Sequence, residues 1–511
     1  MKRNLRTLIP VKRLGSKVAF ATVACLGLGL FSCSSEGPVA DEPDNIESAA
    51  QLGDISFQVD LSLPEGTRSV TNENGSSSGG TEYGTQNENK INTLNVYFCQ
   101  GNKVVMNVIG LTGSQLIPAN DGKSVKASWE MNSDGFATIV AGKKITLLFA
   151  ANTDLSTLNT VDDAMLAYGS ILRYDTEGKV VPLVNSTATG ELNFEGLSAE
   201  EVKEELVKAN YAVDMNSGIS NIGGLGTVLL EHGVARIDFQ SLGENYIYKI
   251  GDTGLYGRLQ YMFPVNVAKK FYAFRHMAQV NASEGSLFGS EGGSPYNWVY
   301  DYDWSAKKTA SYLGAESFLT PTGENFVSEI YPYECRASLY GDTPYNGNYF
   351  PWIYVSENTL PSPARMIQGL STGVAFQVIL TDENGNKLTK EQLKNASNLV
   401  VEEDGENLKI YDPKYGMTAI AGYHTDPYYY LTYYYWIRHN DNHDLTVQGP
   451  MEFSIVRNNI YKLCVKSFHL LPWPYDPDAK DEQPEPKVRT QDFVVDVKVN
   501  SWGYYKITDV I

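Results

Sequence analysis

The sequence predicts an all-β protein of two tandem antiparallel β-sandwich domains, with Greek-key or transthyretin-like wiring and few short helices. Three observations predict it. Apolar and polar residues alternate at period two through 55–63, 234–239 and 493–499, the pattern of half-buried strands, and 374–380 is also strand-like. Turn residues such as Asp382-Glu-Asn-Gly385-Asn and Glu403-Asp-Gly405 punctuate the runs between them. Helix signals are scarce. The best is Ser198-Ala-Glu-Glu201, a capping box opening a segment that reaches Ala209.

The N-terminus comes first. Residues 1–32 carry six basic side chains (Lys2, Arg3, Arg6, Lys12, Arg13, Lys17) and no acidic one. The apolar run 18–31 is too short to span a bilayer comfortably as a helix, so the pair reads as a secretory signal. It ends in Leu30-Phe31-Ser32-Cys33, a lipobox-like sequence that predicts cleavage before Cys33 and acylation of its thiol. Residues 34–54 are polar and acidic, as suits a solvated tether beyond the lipid.

The exported chain begins with a strand. Ile55, Phe57, Val59, Leu61 and Leu63 form the apolar side of a nine-residue alternating run that Pro64-Glu-Gly66 stops. Thr67-Arg68-Ser69 comes next, and 70–90 reads as a Gly/Ser/Asn loop. Strand pattern resumes at 91–98 and 144–150. The Gly-rich stretch 218–226 precedes a new strand at 234–239, which places a domain boundary near 228. Further strands fall at 354–355, 374–380 and 428–436, and 471–487 is a Pro- and acid-rich loop that cannot join a sheet. Val495, Val497 and Val499 then alternate again, followed by Trp502 and a tail to Ile511. The expected division is therefore 1–32 signal, 33–68 lipidated propeptide with the first strand, 69–228 first sandwich and 229–511 second sandwich.

Composition narrows the function. A formal charge of −19 argues against nucleic acid, which needs clustered Lys and Arg. The 42% apolar content is too high for a disordered chain. Six His and five scattered Cys, with no Cys pair at zinc spacing, argue against a metal site, and no cofactor motif is present. Cys25 leaves with the signal, and Cys99, Cys335 and Cys464 read as small buried apolar residues.

Candidate chemical motifs read as structure. Gly369-Leu-Ser371-Thr-Gly373 matches the nucleophile pattern G-x-S-x-G, which needs a strand before it and a helix after. Here Pro361 and Pro363 precede it and a strand follows, so it reads as a turn. His439, Asp441, His443 and Asp444 have no helix to gather them and read as a solvated hairpin loop. Asp382–Asn386 lacks the later Gly and the final Glu of a calcium loop and reads as a turn. The Tyr/Trp run 428–436 covers either a sheet or subunit interface, or a sugar-stacking surface.

The two ends of the exported chain complement each other. A cut after Arg68, before Ser69, detaches the first strand from the rest of the chain. A sheet that loses a strand has a groove of unpaired N–H and C=O groups, which another chain can fill by strand addition. The C-terminal run carrying Val495, Val497, Val499, Trp502, Tyr505, Ile507 and Ile511 is the candidate donor. Head-to-tail insertion does not close, so it builds a filament.

This layout resembles the fimbrillins of Bacteroidales type V pili, and is similar above all to the major subunit type of short fimbriae. The resemblance rests on spaced motifs: Cys33; the strand leading to Arg68; Glu82-Tyr83-Gly84 running into 90–97; 142–153 ending in Asn152-Thr153; Val234-Ala-Arg236-Ile237; Tyr354-Val-Ser-Glu357-Asn358; Arg457-Asn-Asn-Ile460-Tyr461; and 494–502. It implies a non-enzymatic pilus-shaft subunit. The precursor would be a lipidated (palmitate-type) protein on the outer-membrane surface, cut after Arg68 by an Arg-specific or trypsin-like protease. Its partners would be copies of itself and anchor and tip subunits, in adhesion or biofilm. Two other readings stand beside it: a tip or anchor subunit, and a glycan-binding surface lipoprotein. Signal removal leaves −25, the 33–68 piece carries −7, and the remainder carries −18, enough for filaments to repel one another laterally.

Overall fold

The computed structural model describes residues 55–63, 81–84 and most of 87–503. Outside it lie 1–54, 64–80, 504–511, the internal stretches 168–179, 215–225, 280–285, 288–296, 313–317, 320–327, 330–348 and 474–491, and some shorter ones.

The alternating strands of the first half build one ten-stranded sheet. Its members are β1 (Ile55–Ser62), β3 (Leu94–Gln100), β4 (Lys103–Leu111), β5 (Leu116–Pro118), β6 (Ser124–Met131), β7 (Lys144–Ala151), β9 (Leu183–Asn185), β10 (Leu192–Asn193), β11 (Ala212–Asp214) and β12 (Val228–His232). Their order is β4-β3-β7-β9-β12-β1-β6-β5, with β10 beside β7 and β11 beside β1. Strands β3 and β1 are four places apart, which in a flat sheet is roughly 19 Å. Yet the rings of Phe57 on β1 and Phe98 on β3 meet edge to face at 5.8 Å. The sheet therefore folds over on itself, and its core lies between the two halves.

Helix α1 (Ser133–Val140) and α2 (Ala199–Lys208) lie against each other beside this core. The Ser198 capping box forms as expected: Ser198 N donates to Glu201 Oε2 at 2.7 Å, and Glu201 N to Ser198 Oγ at 3.2 Å. Helix α1 is an addition to the sequence expectation. Asn132 caps it, accepting from Asp134 N and Gly135 N, and it buries Phe136, Ala137 and Val140.

The second half contributes two larger sheets. The second sheet runs β2-β23-β22-β13-β16, comprising β2 (Thr81–Tyr83), β13 (Ala235–Ser241), β16 (Phe350–Val355), β22 (Asn459–Phe468) and β23 (Phe493–Gly503). The third holds β14 (Ile247–Lys249), β15 (Tyr256–Val265), β17 (Gly373–Thr381), β18 (Val400–Asp404), β19 (Asn407–Asp412), β20 (Met417–Tyr423) and β21 (Tyr429–Trp436), in the order β14-β15-β17-β21-β20-β19-β18. Phe239, Phe468 and Phe493 of the second sheet interlock with Phe376 and Tyr433 of the third, with ring centroids 4.5–6.1 Å apart. The short strand β8 (Met165–Ala167) crosses over to pair with residues 270–272.

Three features differ from the sequence expectation. The first two sheets are mixed rather than purely antiparallel, while the described pairings of the third are all antiparallel. β1 runs parallel to β11 and β12, β13 to β22, and β2 to β23, pairings between segments too far apart in sequence to be joined by a hairpin. Sheet membership changes between His232 and Ala235, just beyond the expected 228. Within 70–90, expected to be all loop, 81–83 form a strand in which Glu82 makes ion pairs with Arg236 and Lys462.

Candidate assembly site: a strand slot and its seam

Strand β1 sits inside the first sheet, not at its edge. Along one side all eight of its residues pair antiparallel with β6, from Ile55 opposite Met131 to Ser62 opposite Ser124. Along the other side residues 56–58 pair with β11, and 61–62 with β12. Its sequence alternation becomes an alternation of burial: Ile55, Phe57, Val59 and Leu61 are fully buried, and Leu63 is nearly so. Phe57 is the centre of an aromatic knot, stacked on Trp129 at 5.1 Å and edge-on to Phe136 at 5.0 Å.

The magnitude matters. Burying an aliphatic or aromatic side chain contributes about 1.5–3 kcal/mol, so four amount to roughly 6–12 kcal/mol as an upper estimate. A whole domain is stable by about 5–15 kcal/mol. A slot emptied of β1 must therefore be refilled or the sheet fails.

The strand at the other end of the chain is placed differently. β23 pairs antiparallel with β22 through nine register positions, from Phe468–Phe493 to Asn459–Ser501. Val499 is buried, while Val495 and Val497 are half-buried against the core. Val495, Val497 and Val499, expected to belong to a free donor, are paired with β22 in their own sheet, and Trp502 is paired with Glu82 of β2. Among the described residues the outer edge of β23 is paired only at 501–503, by β2. Cys33, Arg68, Ser69, Tyr505, Ile507 and Ile511 lie outside the described residues.

Both ends of the segment carrying Arg68 are anchored where the first sheet gives way to the second. Ser62 pairs with Leu229, near the start of β12, whose other end leads into β13, and Thr81 pairs with Ser501, one strand from Asn459. This seam is polar and built from the spaced sequence motifs. Arg236 donates to both carboxylate oxygens of Glu88 at 2.8 and 3.0 Å and to Asp238 at 2.7 and 3.0 Å. Burial opposes its charge, but Asp238 and Glu88 hold its pKa well above the ordinary arginine value. Tyr354 Oη donates to Glu88 at 2.8 Å. Lys462 Nζ and Asn500 Nδ2 donate to Glu82 Oε2 at 2.6 and 2.7 Å. His232 is fully buried with a ring nitrogen facing Asn458 at 3.0 Å and the other facing Asn89 at 3.1 Å, and burial pushes its pKa down to about 4.

Two more motifs meet nearby. Arg457 and Glu357, both fully buried, pair at 2.9 Å, and Arg457 also donates to the Ala273 and Tyr272 carbonyls at 2.7 Å. Asn152, at φ 58°, accepts from Asn92 N and donates to the Lys90 and Val181 carbonyls, stitching three segments. Glu82, Glu88 and Asn89 are not legible as seam residues in the sequence, being charged or polar residues in a loop-like stretch. The pairing signal is Arg236, a cation in a strand that is buried almost throughout, two residues before Asp238.

The other candidates resolve as structure. Ser371 is buried in the turn before β17. Asp382 Oδ1 accepts from Asn384 N and Asn386 N, closing the turn in which Gly385 has φ +81°. His439 Nδ1 lies 2.8 Å from Tyr461 Oη, while Asp441 and His443 are outside the described residues. On β21, Tyr429, Leu431 and Tyr433 face the core and Tyr430, Tyr434 and Tyr435 are half-buried. Cys99 and Cys464 are buried free thiols, Cys99 pushed up to about 12 by burial; Cys335 lies outside the described residues.

Residues 427–508 match the family model described as major fimbrial subunit protein type IV, fimbrillin, C-terminal. That segment contains β21, β22 and β23, and the match agrees with the resemblance drawn from the sequence motifs. No curated protein matches the chain. Among solved structures, the chain is similar to a fimbrilin (fimA) from Porphyromonas gingivalis at 14% identity, covering 88% of this chain and 98% of that one, with a TM-score of 0.40. It is similar to the tip fimbrial protein Mfa3 of Porphyromonas gingivalis at 8% identity, covering 88% and 100%, TM-score 0.32. A fimbrial assembly protein from Parabacteroides distasonis aligns at 10% identity, covering 66% and 98%, TM-score 0.26.

Proposed function

We propose that this chain is the shaft subunit of a pilus, exported as a precursor lipidated on Cys33 and polymerised by strand replacement. The fimbrillin match over 427–508 supports a structural, non-enzymatic role in an extracellular fimbrium. The observation that carries the finer reading is the placement of β1: an interior strand, fully paired along β6 and apolar on its core face, whose chain leads directly into the segment holding Arg68.

A trypsin-like or Arg-specific protease cutting between Arg68 and Ser69 leaves β1 held by pairing and packing alone. Its departure takes the lipid with it and opens a slot between β6 on one side and β11 and β12 on the other. The donor is the C-terminal segment of another copy. Since β23 is engaged by β22, the donor reading narrows to 504–511, in which Tyr505, Ile507 and Ile511 stand at odd-numbered positions of the sequence. Each subunit so joined offers its own tail to the next, and anchor and tip subunits would end the series.

Treating the purified full-length precursor with trypsin tests this. The expected result is one early cut near Arg68 followed by SDS-resistant ladders, and loss of the ladders on deleting 504–511 while the monomer stays folded. Cut subunits that remain monomeric would overturn the shaft reading; glycan binding by the uncut monomer would favour a surface lectin instead.

A further inference from the structure

We infer that Glu82, with the short strand β2 around it, clasps the end of β23 and so speeds the docking of the donor segment 504–511 on another copy. This rests on the reading of that segment as the donor.

Strand β2 covers only 501–503, the three residues immediately before the tail. So short a parallel pairing has too few ladder bonds to hold itself. Glu82 supplies the missing attachment. Its carboxylate accepts from Asn500 on β23 at 2.7 Å and from Lys462 on β22 at 2.6 Å, and it lies 3.5 Å from Arg236 on β13. One side chain thus ties three neighbouring strands at the root of the tail. Burial raises the Glu82 pKa, but Lys462, Arg236 and Asn500 together outweigh it and hold the carboxyl below its ordinary value, so the clasp is charged at neutral pH. Six residues on, Glu88 and Asn89 fasten the same segment to Arg236, Tyr354 and His232.

The position of the clasp in the chain matters. A cut after Arg68 severs β1 from β2 but leaves β2 on the body, so the clasp stays with the subunit that polymerises. A tail whose root is already fixed loses less freedom on docking, which is the general advantage of preorganisation. The plainer alternative is that β2 merely covers a sheet edge and the Arg236 charge. A cover affects the stability of the monomer; a clasp affects the rate at which a donor docks.

The two are separated with Glu82→Gln, Lys462→Met and the double variant, each in the full-length precursor cut by trypsin. The readouts are the rate of precursor cleavage, the rate of ladder growth and hydrogen exchange at 501–503. Expected are an unchanged cleavage rate, ladder growth slowed roughly fivefold to tenfold in each single variant, and a double variant no slower than either. Exchange at 501–503 should be faster in all three. Wild-type ladder rates in both single variants, or effects that add in the double, overturn the clasp while leaving the donor reading standing. A wild-type protein that is cut but forms no ladders overturns the donor reading and the clasp with it. Lys462→Met keeps the test decisive if Glu82→Gln folds poorly.

Discussion

The first and last described strands carry the same alternation and meet opposite fates. β1 is flanked on both sides, and its apolar face is completely buried. β23 is paired throughout on one side and over three residues on the other, and its Val495 and Val497 are only half-buried. Period-two patterning therefore says which face of a strand is buried, but not whether the strand is interior or near an edge. Interior placement makes β1 costly to lose and its slot demanding to fill. Near-edge placement gives β23 a described outer edge that is paired only at 501–503.

The contrast can be broken most sharply at Phe57. Truncating Phe57→Ala removes the ring that stacks on Trp129 and meets Phe98 and Phe136, and should destabilise the uncut precursor by about 3–5 kcal/mol in denaturant unfolding. A loss below about 1 kcal/mol would mean that β1 is not integral to the first sheet.

A smaller effect is expected at the seam. His232 has a folded pKa of about 4 against an ordinary 6.5, so between those values the unfolded chain binds more protons. Stability is then full above about pH 6.5 and falls as the pH drops towards 4, by about 3 kcal/mol at the limit. Unfolding midpoints at pH 7.5 and 4.5 measure it, and His232→Asn should flatten part of the dependence. An unchanged slope in that variant would remove His232 from the account of the seam.

The smallest effect should lie in β23. Val495→Ala and Val497→Ala each remove a half-buried side chain and should cost about 1 kcal/mol or less. Ladder formation after cleavage should persist in both. Losses as large as that of Phe57→Ala would erase the distinction between the two strands.

The sequence made the strands visible and left their partners hidden. Ile55 to Leu63 alternate cleanly, and the structure returns that run as β1 with the expected face inward. Nothing in the run says that its neighbours are residues 124–131, 212–214 and 228–229, because none of these pairings, antiparallel to the first and parallel to the other two, is joined to it by a local turn. Helix α1 escaped notice because it is eight residues long, contains Gly135 and depends on an Asn cap and tertiary burial. Strand β2 escaped for a similar reason. Thr81, Glu82 and Tyr83 carry no apolar rhythm, and Lys462 and Asn500, which hold Glu82, lie 380 and 418 residues away. The motifs themselves were legible: Arg236 finds Glu88, and Arg457 finds Glu357, as buried charges must.

The central claim is that β1 is replaced, so the most direct measurement is the amount of its peptide left in the polymer. Precursor is cut with trypsin, SDS-resistant ladders are purified, and residues 55–62 are quantified by mass spectrometry against a peptide from β6. The account predicts that the 55–62 peptide is absent from the ladders while residues 504–511 are present at one per subunit. Ladders that retain 55–62 at one per subunit would contradict it.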